Sequence, residues 1–345
     1  MTVTVSAPSE ARPPALARTG DLVLPALRSA VAHLDDTSRS QVSYHLGWTD
    51  LDGNAVPGAG GKGIRPTLAV LSALAGGGPA EQGVPGAVAV ELVHNFSLLH
   101  DDLMDGDTER RHRRTVWAVW GAPSAILAGD ALLALAQEVL LDAASPHRGD
   151  AARLLAQATR ALVRGQVLDL AFERRDDVTV AECLDMAAGK TGALLSASAA
   201  IGAVLAGAPA SVVDALRTFG AELGLAFQLV DDVLGIWGDP AVTGKPVFSD
   251  LRARKKSLPV AHVLAGGGVA GRELAAWLAD RGDADEASQR RIAELVEAAG
   301  GREWASAEAT RRLAVAERAL DPARLTPGPL GELVAVARYV VAREV

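Results

Sequence analysis

The stretch Glu91-Leu-Val-His-Asn-Phe-Ser-Leu-Leu-His-Asp-Asp-Leu-Met-Asp105 decides how the chain reads. Wound at about 100° per residue, it sets Leu92, Phe96, Leu99 and Leu103 on one side and His94, Asp101 and Asp105 on the other, which describes a two-faced helix. Asp101 and Asp105 stand one turn apart, so both carboxylates reach the same hard cation. Ionised carboxylates that close repel each other, and bound Mg2+ is the natural relief. The plain alternative is a solvated helix end running into the charged segment GDTERRHRRTVW that follows, over residues 106–117.

A second acidic segment, FQLVDDVLGIWGD over residues 227–239, again sets Asp231 and Asp232 in apolar helical sequence, with Gln228 on the Asp231 face. Carboxylates embedded this way are seldom buried unless paired or metal-bound, and two aspartate-rich helices can face each other across a bundle. Cations accompany both segments. Lys62 and Arg65 lie in GAGGKGIRP (58–66), Arg110 and Arg111 follow the first cluster, and Lys245, Lys255 and Lys256 follow the second. Glycine lets backbone approach a phosphate, arginine grips it with two bonds, and Mg2+ bridges its oxygens to aspartate. Together these residues describe a diphosphate site. Surface solvation is the bland reading of any single cation, and of Arg113 or Arg114.

The surrounding chain reads as all-α. Its 345 residues are 49% hydrophobic but only 4% aromatic, so the core is aliphatic and an aromatic stacking platform for nucleic acid has little material. From Asp21 onward apolar residues recur at spacings of three and four, with Ala and Leu dominant. This spacing predicts helices over residues 22–46, 65–76, 85–105, 122–144, 149–171, 179–188, 191–206, 211–236, 257–265, 271–281, 287–299, 303–319 and 328–343. Gly and Pro clusters at 58–63, 76–79, 238–246 and 266–268 mark loops. Residues 1–20, with three prolines, read as a disordered tail, and 21–345 as one helical domain. With 34 basic against 42 acidic residues the net charge is −8, which argues against a nucleic-acid partner. A lone cysteine, Cys183, forms no internal disulfide and reads as buried packing, and it points to the cytoplasm. No uninterrupted apolar run approaches the roughly 18 residues of a bilayer span, so no transmembrane segment is expected.

The pieces GKGIRP (61–66), ELVHNFSLLHDDLMD (91–105) with its arginine pair, GDALLALA (129–136), GKTGALL (189–195), FQLVDDVLG (227–235) and GDPAVTGKPVFSDLRARKKSLPV (238–260) occur together in family order. On them the chain resembles a trans-isoprenyl diphosphate synthase of the polyprenyl synthetase family, most like a bacterial geranylgeranyl diphosphate synthase. The resemblance implies an all-α bundle around a deep central cavity, both aspartate-rich motifs at its mouth, and usually a homodimer. It implies isopentenyl diphosphate on Lys62, Arg65, His94 and Arg111, and metal on Asp101, Asp105 and Asp231, with Asp232 counted beside them. It implies the allylic diphosphate on Arg110, Lys190, Thr191, Gln228, Lys245 and Lys255. Three Mg2+ ions, with Mn2+ as a substitute, would act with Asp101, Asp105, Asp231, Arg110, Lys190 and Lys245 to release diphosphate and leave an allylic cation for the isopentenyl double bond.

Three positions depart from the pattern. Gly235 stands where the second motif has its last aspartate, although Asp239 is nearby; Trp117 stands for a histidine and Arg114 for a proline. Ser97, one turn below Asp101, leaves room for a growing tail. Phe96 is by pattern plain core, and in similar enzymes an aromatic there helps form the floor. Together they favour the twenty-carbon geranylgeranyl product, with farnesyl diphosphate next. A terpene cyclase needs a second motif beginning Asn-Asp, and the chain's only asparagines are Asn54 and Asn95. A non-catalytic regulatory subunit finds support in Gly235 alone. His100 reads as a structural histidine rather than a ligand.

Overall fold

Pro13 and Pro14 start a helix rather than sit in a tail, because a proline at the first helical turn gives up an N–H that would have had no partner. The computed structural model describes residues 12–56, 61–240, 247–280, 282 and 285–342. In it α1 runs Pro14–Val31 and buries Ala15, Leu16 and Thr19. Of the tail expected over residues 1–20, the stretch from Pro14 to Gly20 is helical, and residues 1–11 lie outside the described set. The single helix expected over 22–46 is two. Asp35 caps α2 (Asp36–His45) by accepting from the Thr37 and Ser38 amides at 3.0 Å, and that cap needs a non-helical residue at the break.

The centre is built from α3 (Ile64–Ala75), α4 (Ala80–Met104), α9 (Ala193–Leu205) and α10 (Ala210–Trp237). Helix α3 packs against both α4 and α9, and α9 packs against α10. Small residues allow this closeness. A Cβ on Gly202 of α9 would press on the Ala69 carbonyl oxygen and lie 2.7 Å from Ser72 Oγ, so α3 and α9 meet backbone to backbone. Helix α4 carries Pro85 inside its first turns yet begins at Ala80, five residues earlier than its periodicity predicts, and it ends with Asp105 as its cap.

Between α4 and α6 (Ala122–Leu141) lie a hairpin, β1 (Glu109–Arg110) and β2 (Arg113–Arg114), and the short helix α5 (Val116–Trp120). The long α7 (Arg148–Phe172) follows. Helix α8 (Val180–Ala187) then runs through a π-helical turn at Ala188–Gly192 into α9, closing the gap expected between 188 and 191. Past α10 come α11 (Ser249–Arg252), α12 (Leu258–Gly266), α13 (Gly268–Ala279), α14 (Glu286–Ala298), α15 (Gly301–Leu320) and α16 (Pro327–Val341). Helix α15 braces α10 from behind, and α12 packs on both.

Among the described residues two helical segments, Ala122–Leu141 and Val180–Leu205, are long and apolar enough to cross a membrane by length and composition, although charged residues interrupt both. The second is mostly buried in the core. The first turns Ile126, Leu127 and Leu141 outward.

The backbone contact between α3 and α9 sets the first expected outcome. Gly202→Ala overpacks a site with no room for a methyl group, and urea denaturation of the variant should show a loss of about 1–3 kcal/mol.

Candidate active site

Each Asp-Asp pair splits its duties, because neighbours on a helix point about 100° apart. In the first, Asp102 turns inward. It is 1% exposed and accepts from Arg110 Nε at 2.6 Å, and burial pushes its carboxyl up to about 6 against the pull of Arg110. Asp101 and Asp105 stay on the open side. Burial raises Asp101, Lys190 draws it back down, and Asp105 adds repulsion.

In the second pair Asp231 is exposed and Asp232 is buried. Asp232 Oδ2 accepts from the Leu258 amide at 2.8 Å and Oδ1 from Gln228 Nε2 at 2.7 Å, while Gln228 Oε1 accepts from Thr191 Oγ1 at 2.6 Å. Burial, then the Asp250 charge, push Asp232 up to about 7. The relay ties the π-turn to α10 and to the start of α12. Asp232 was expected beside the metal ligands, and here both its oxygens serve the protein's own N–H groups. Thr191 and Gln228, expected on the allylic diphosphate, are the middle of this brace.

Between the two acidic helices stand Lys190 and Lys255, and what joins them is Asp169 of α7. Its Oδ2 lies 2.6 Å from Lys190 Nζ and 3.9 Å from Lys255 Nζ. Burial works against the Asp169 charge, yet Lys255 and Lys190 hold its carboxyl below the usual range. Burial likewise opposes the Lys255 charge, and Asp169, Asp250, Asp232 and Asp105 outweigh it. Lys255 thus feels carboxylates from both acidic segments. The main chain brings Lys190 in: a Cβ on Gly165 of α7 would lie 2.7 Å from Lys190 Cα, and one on Gly224 of α10 would lie 2.5 Å from Gly192 Cα. Sequence reasoning missed Asp169. Its signal was the pair Gln166 and Asp169, i and i+3, in an otherwise apolar turn.

A second cationic group sits at the head of α3. Arg65 Nη1 lies 3.3 Å from His94 Nε2. Burial and then Arg65 and Arg111 keep His94 well below its ordinary pKa, so the ring is neutral and its Nε2 accepts from the guanidinium. Burial lowers Arg65, and Glu91 and Asp231 draw it back up, which places the second acidic helix within reach of this group. Arg110 and Arg111 are divided by the hairpin. Arg110 pairs with Arg113 across the strands, and Arg111 (φ 51°) and His112 (φ 60°) form the two-residue turn in left-handed backbone. The turn sends Arg110 back to Asp102 and Arg111 toward the glycine segment, where a Cβ on Gly61 would lie 3.3 Å from Arg111 Nη2. Lys62 is exposed three residues before Arg65. Lys245 lies outside the described residues.

Below the first motif, Phe96 is 6% exposed and meets the His100 ring edge-on at 4.8 Å, while Ser97 Oγ donates to the His94 carbonyl at 2.8 Å. His100 packs its ring on Gly129 of α6 and contacts the Ile126 carbonyl at 3.1 Å, a structural role as expected. Among the described residues no three His, Cys, Asp or Glu side chains form a closed cage for an ion. Asp101, Asp105 and Asp231 offer hard oxygen donors on the open side, which fits Mg2+ that keeps waters and shares its remaining positions with phosphate oxygens.

Known proteins resemble this chain over most of its length. The family described as Polyprenyl synthetase matches residues 53–296. The "(2E,6E)-farnesyl diphosphate synthase" of Mycobacterium tuberculosis (strain CDC 1551 / Oshkosh) is 54% identical over 334 residues, covering 96% of this chain and 93% of that protein. The "Geranylgeranyl diphosphate synthase" of Mycobacterium tuberculosis (strain ATCC 25618 / H37Rv) is 43% identical over 323 residues, covering 93% and 91%. The crystal structure of a polyprenyl synthetase from Streptomyces coelicolor A3(2) superposes with a TM-score of 0.91 at 52% identity, covering 95% of this chain and 98% of that one.

The shared carboxylate gives a test. Asp169→Asn leaves two ammonium groups facing each other with their common counter-charge gone. Urea denaturation should show a loss on the order of 1–3 kcal/mol. The loss should shrink at 1 M salt as the repulsion is screened.

Proposed function

The chain belongs to the polyprenyl synthetase family and is a prenyltransferase, and we propose that it joins isopentenyl diphosphate to an allylic diphosphate and releases a short-chain product. The observation that carries this reading is the meeting of Asp101 and Asp105 with the Asp231 helix around Lys190 and Lys255. Carboxylates from two helices with fixed ammonium groups between them suit a ligand that carries its own negative charge and binds with cations.

Lys190, Lys255 and Arg110 hold the allylic diphosphate. Arg110 donates Nε to Asp102, and its two terminal nitrogens would form a fork for phosphate oxygens. Asp101, Asp105 and Asp231 would hold Mg2+, three ions in our reading with Mn2+ as a substitute, and the bound metal would neutralise the charge on the leaving diphosphate. The allylic C–O bond breaks with its electron pair on that diphosphate. Lys62, Arg65 and Arg111 hold isopentenyl diphosphate, with neutral His94 orienting Arg65, so that its double bond attacks the allylic carbon. A C–C bond forms, the resulting tertiary cation loses a proton to the departed diphosphate, and the chain has gained five carbons. Aliphatic walls keep water from the cation.

For product length, the relative named for farnesyl diphosphate weighs toward fifteen carbons. Twenty is the second reading, favoured by the small Ser97 one turn below Asp101. We infer that Phe96, buried against His100, stops the tail.

We further propose a homodimer through α6 and α7. Ile126, Leu127 and Leu141 on α6 and Val163 and Val167 on the neighbouring α7 are large apolar side chains between 44% and 64% exposed. An outward apolar face on two adjoining helices is costly in water and is relieved by a second copy. A cytoplasmic enzyme fits the lone Cys183, which is buried and whose thiol burial pushes up to about 12.

Incubation with Mg2+, isopentenyl diphosphate and allylic primers of five, ten and fifteen carbons, read by mass spectrometry, checks the activity. Elongated products are expected, Asp231→Ala should abolish them, and near-normal turnover in that variant would remove the assignment. Phe96→Ala should lengthen the product by one or more five-carbon steps. Leu127→Glu paired with Val167→Glu should halve the particle mass in analytical ultracentrifugation.

A further inference from the structure

Gly235 stands one helical turn after Asp231, where the second acidic motif of the family carries its last carboxylate, and the space a side chain would fill there is taken. A Cβ built on Gly235 would lie 2.5 Å from Asp250 Cγ and 2.7 Å from its Oδ1, closer than real Cβ atoms approach anything. The Asp250 carboxylate, on α11, therefore sits where the first atoms of an aspartate at 235 would be. This follows from how α11 docks. Phe248 precedes it in left-handed backbone (φ 61°), Ser249 Oγ donates to the Gly235 carbonyl at 3.1 Å, and the Lys255 amide donates to the Asp250 carbonyl at 2.8 Å. The first of these bonds pins α11 to the last turn of α10. The second fixes the loop that carries Lys255 into the site.

Asp250 also acts on the groups around it. It is the largest charge raising Asp232 and the second largest raising Lys255. Asp239, the other acidic residue nearby, is exposed two residues beyond the end of α10 at Trp237.

We propose that Asp250 supplies the third carboxylate of the second acidic motif, entering from α11 into the space that Gly235 leaves open on α10. This rests on the family-site reading above. The glycine is then a condition for the carboxylate rather than its loss: any side chain at 235 would expel Asp250. The direction of approach changes while the charge is kept. Asp231 and Asp250 would face the same metal-bound diphosphate, Asp231 from the helix and Asp250 from the loop side, close to its leaving oxygens and to Lys255.

The test is calorimetric titration of inorganic pyrophosphate over a Mg2+ series, with folding checked by circular dichroism. Wild type should bind pyrophosphate in a Mg2+-dependent way. Asp250→Asn keeps the shape and removes the charge, and it should raise the Mg2+ midpoint about tenfold or more. Gly235→Asp alone should be worse than either, because two carboxylates then contend for one space. Gly235→Asp combined with Asp250→Gly should recover most of the Mg2+ affinity lost in Asp250→Gly alone. An unchanged midpoint in Asp250→Asn, or a double variant no better than Asp250→Gly, overturns the proposal while the family-site reading stands. Wild type that binds no pyrophosphate at any Mg2+ concentration overturns both.

Discussion

Carboxylate repulsion across the open side of the bundle is the constraint on which the rest of the site depends. Asp101 and Asp105 on α4 and Asp231 on α10 leave a surplus of negative charge facing one space. Lys190 and Lys255 stand in it, and these two cations are themselves held by Asp169 from a third helix. The order of strength matters. Asp169 is side-chain buried to 13% exposure and lies closest to Lys190, so its bond is the less screened one. The outer carboxylates are more exposed and feel the lysines less. They stay partly uncompensated, and in the proposed function that residue of negative charge would give a cation-bound diphosphate a reason to bind. A site satisfied from within would have nothing left to offer.

The same economy explains why each acidic motif carries adjacent aspartates. One member of each pair stays on the open side and the other holds the structure that presents it. Asp102 fixes Arg110 and with it the turn end of the hairpin, and the turn throws Arg111 to the opposite side. Asp232 caps the start of α12 and reaches through Gln228 to Thr191 beside Lys190. The buried members carry raised pKa values, about 6 and about 7, because desolvation outweighs the bonds they accept. They are costly residues, and they are held because each positions a cation or the loop that delivers one.

Much of this was legible in the sequence because charge inside apolar helical periodicity is a strong signal. It marked Asp101, Asp105 and Asp231, and the glycine-rich GKGIRP pointed to Arg65. Thr191 and Gln228 were expected on the allylic diphosphate, and Asp232 beside the metal ligands, from the family resemblance, and to these expectations the folded chain adds the brace that joins the three. Only the folded chain shows that the Leu258 amide arrives there from α12. Asp169 carried too weak a mark, one carboxylate in a long helix. Boundaries failed where a local cap overrode the period: Asp35 broke a helix that the apolar spacing continued, and Pro14 opened one where composition implied a tail. The π-turn at Ala188–Gly192 has no periodic signature, so α8 and α9 read as separate helices. The replacements at Trp117 and Arg114 have local partners, the Asp107 and Ala118 carbonyls, which a sequence pattern does not reveal.

Small residues decide where charge can be delivered. Gly165 lets the chain at Lys190 lie against α7, Gly224 lets the π-turn lie against α10, and Gly235 lets Asp250 lie against the last turn of α10. In each case one helix gives up a side chain so that a neighbouring segment can bring a charged group into the opening. A charged side chain on the helix itself could point only where the helical turn allows. A group carried on an adjoining turn or loop can approach from another angle, so cation and carboxylate can surround a diphosphate instead of lining one wall of it. That freedom comes at the expense of packing area, which the aliphatic core behind α3, α9 and α10 restores. The glycine in the second acidic motif therefore belongs with the glycines beside Lys190 as part of how the site is assembled.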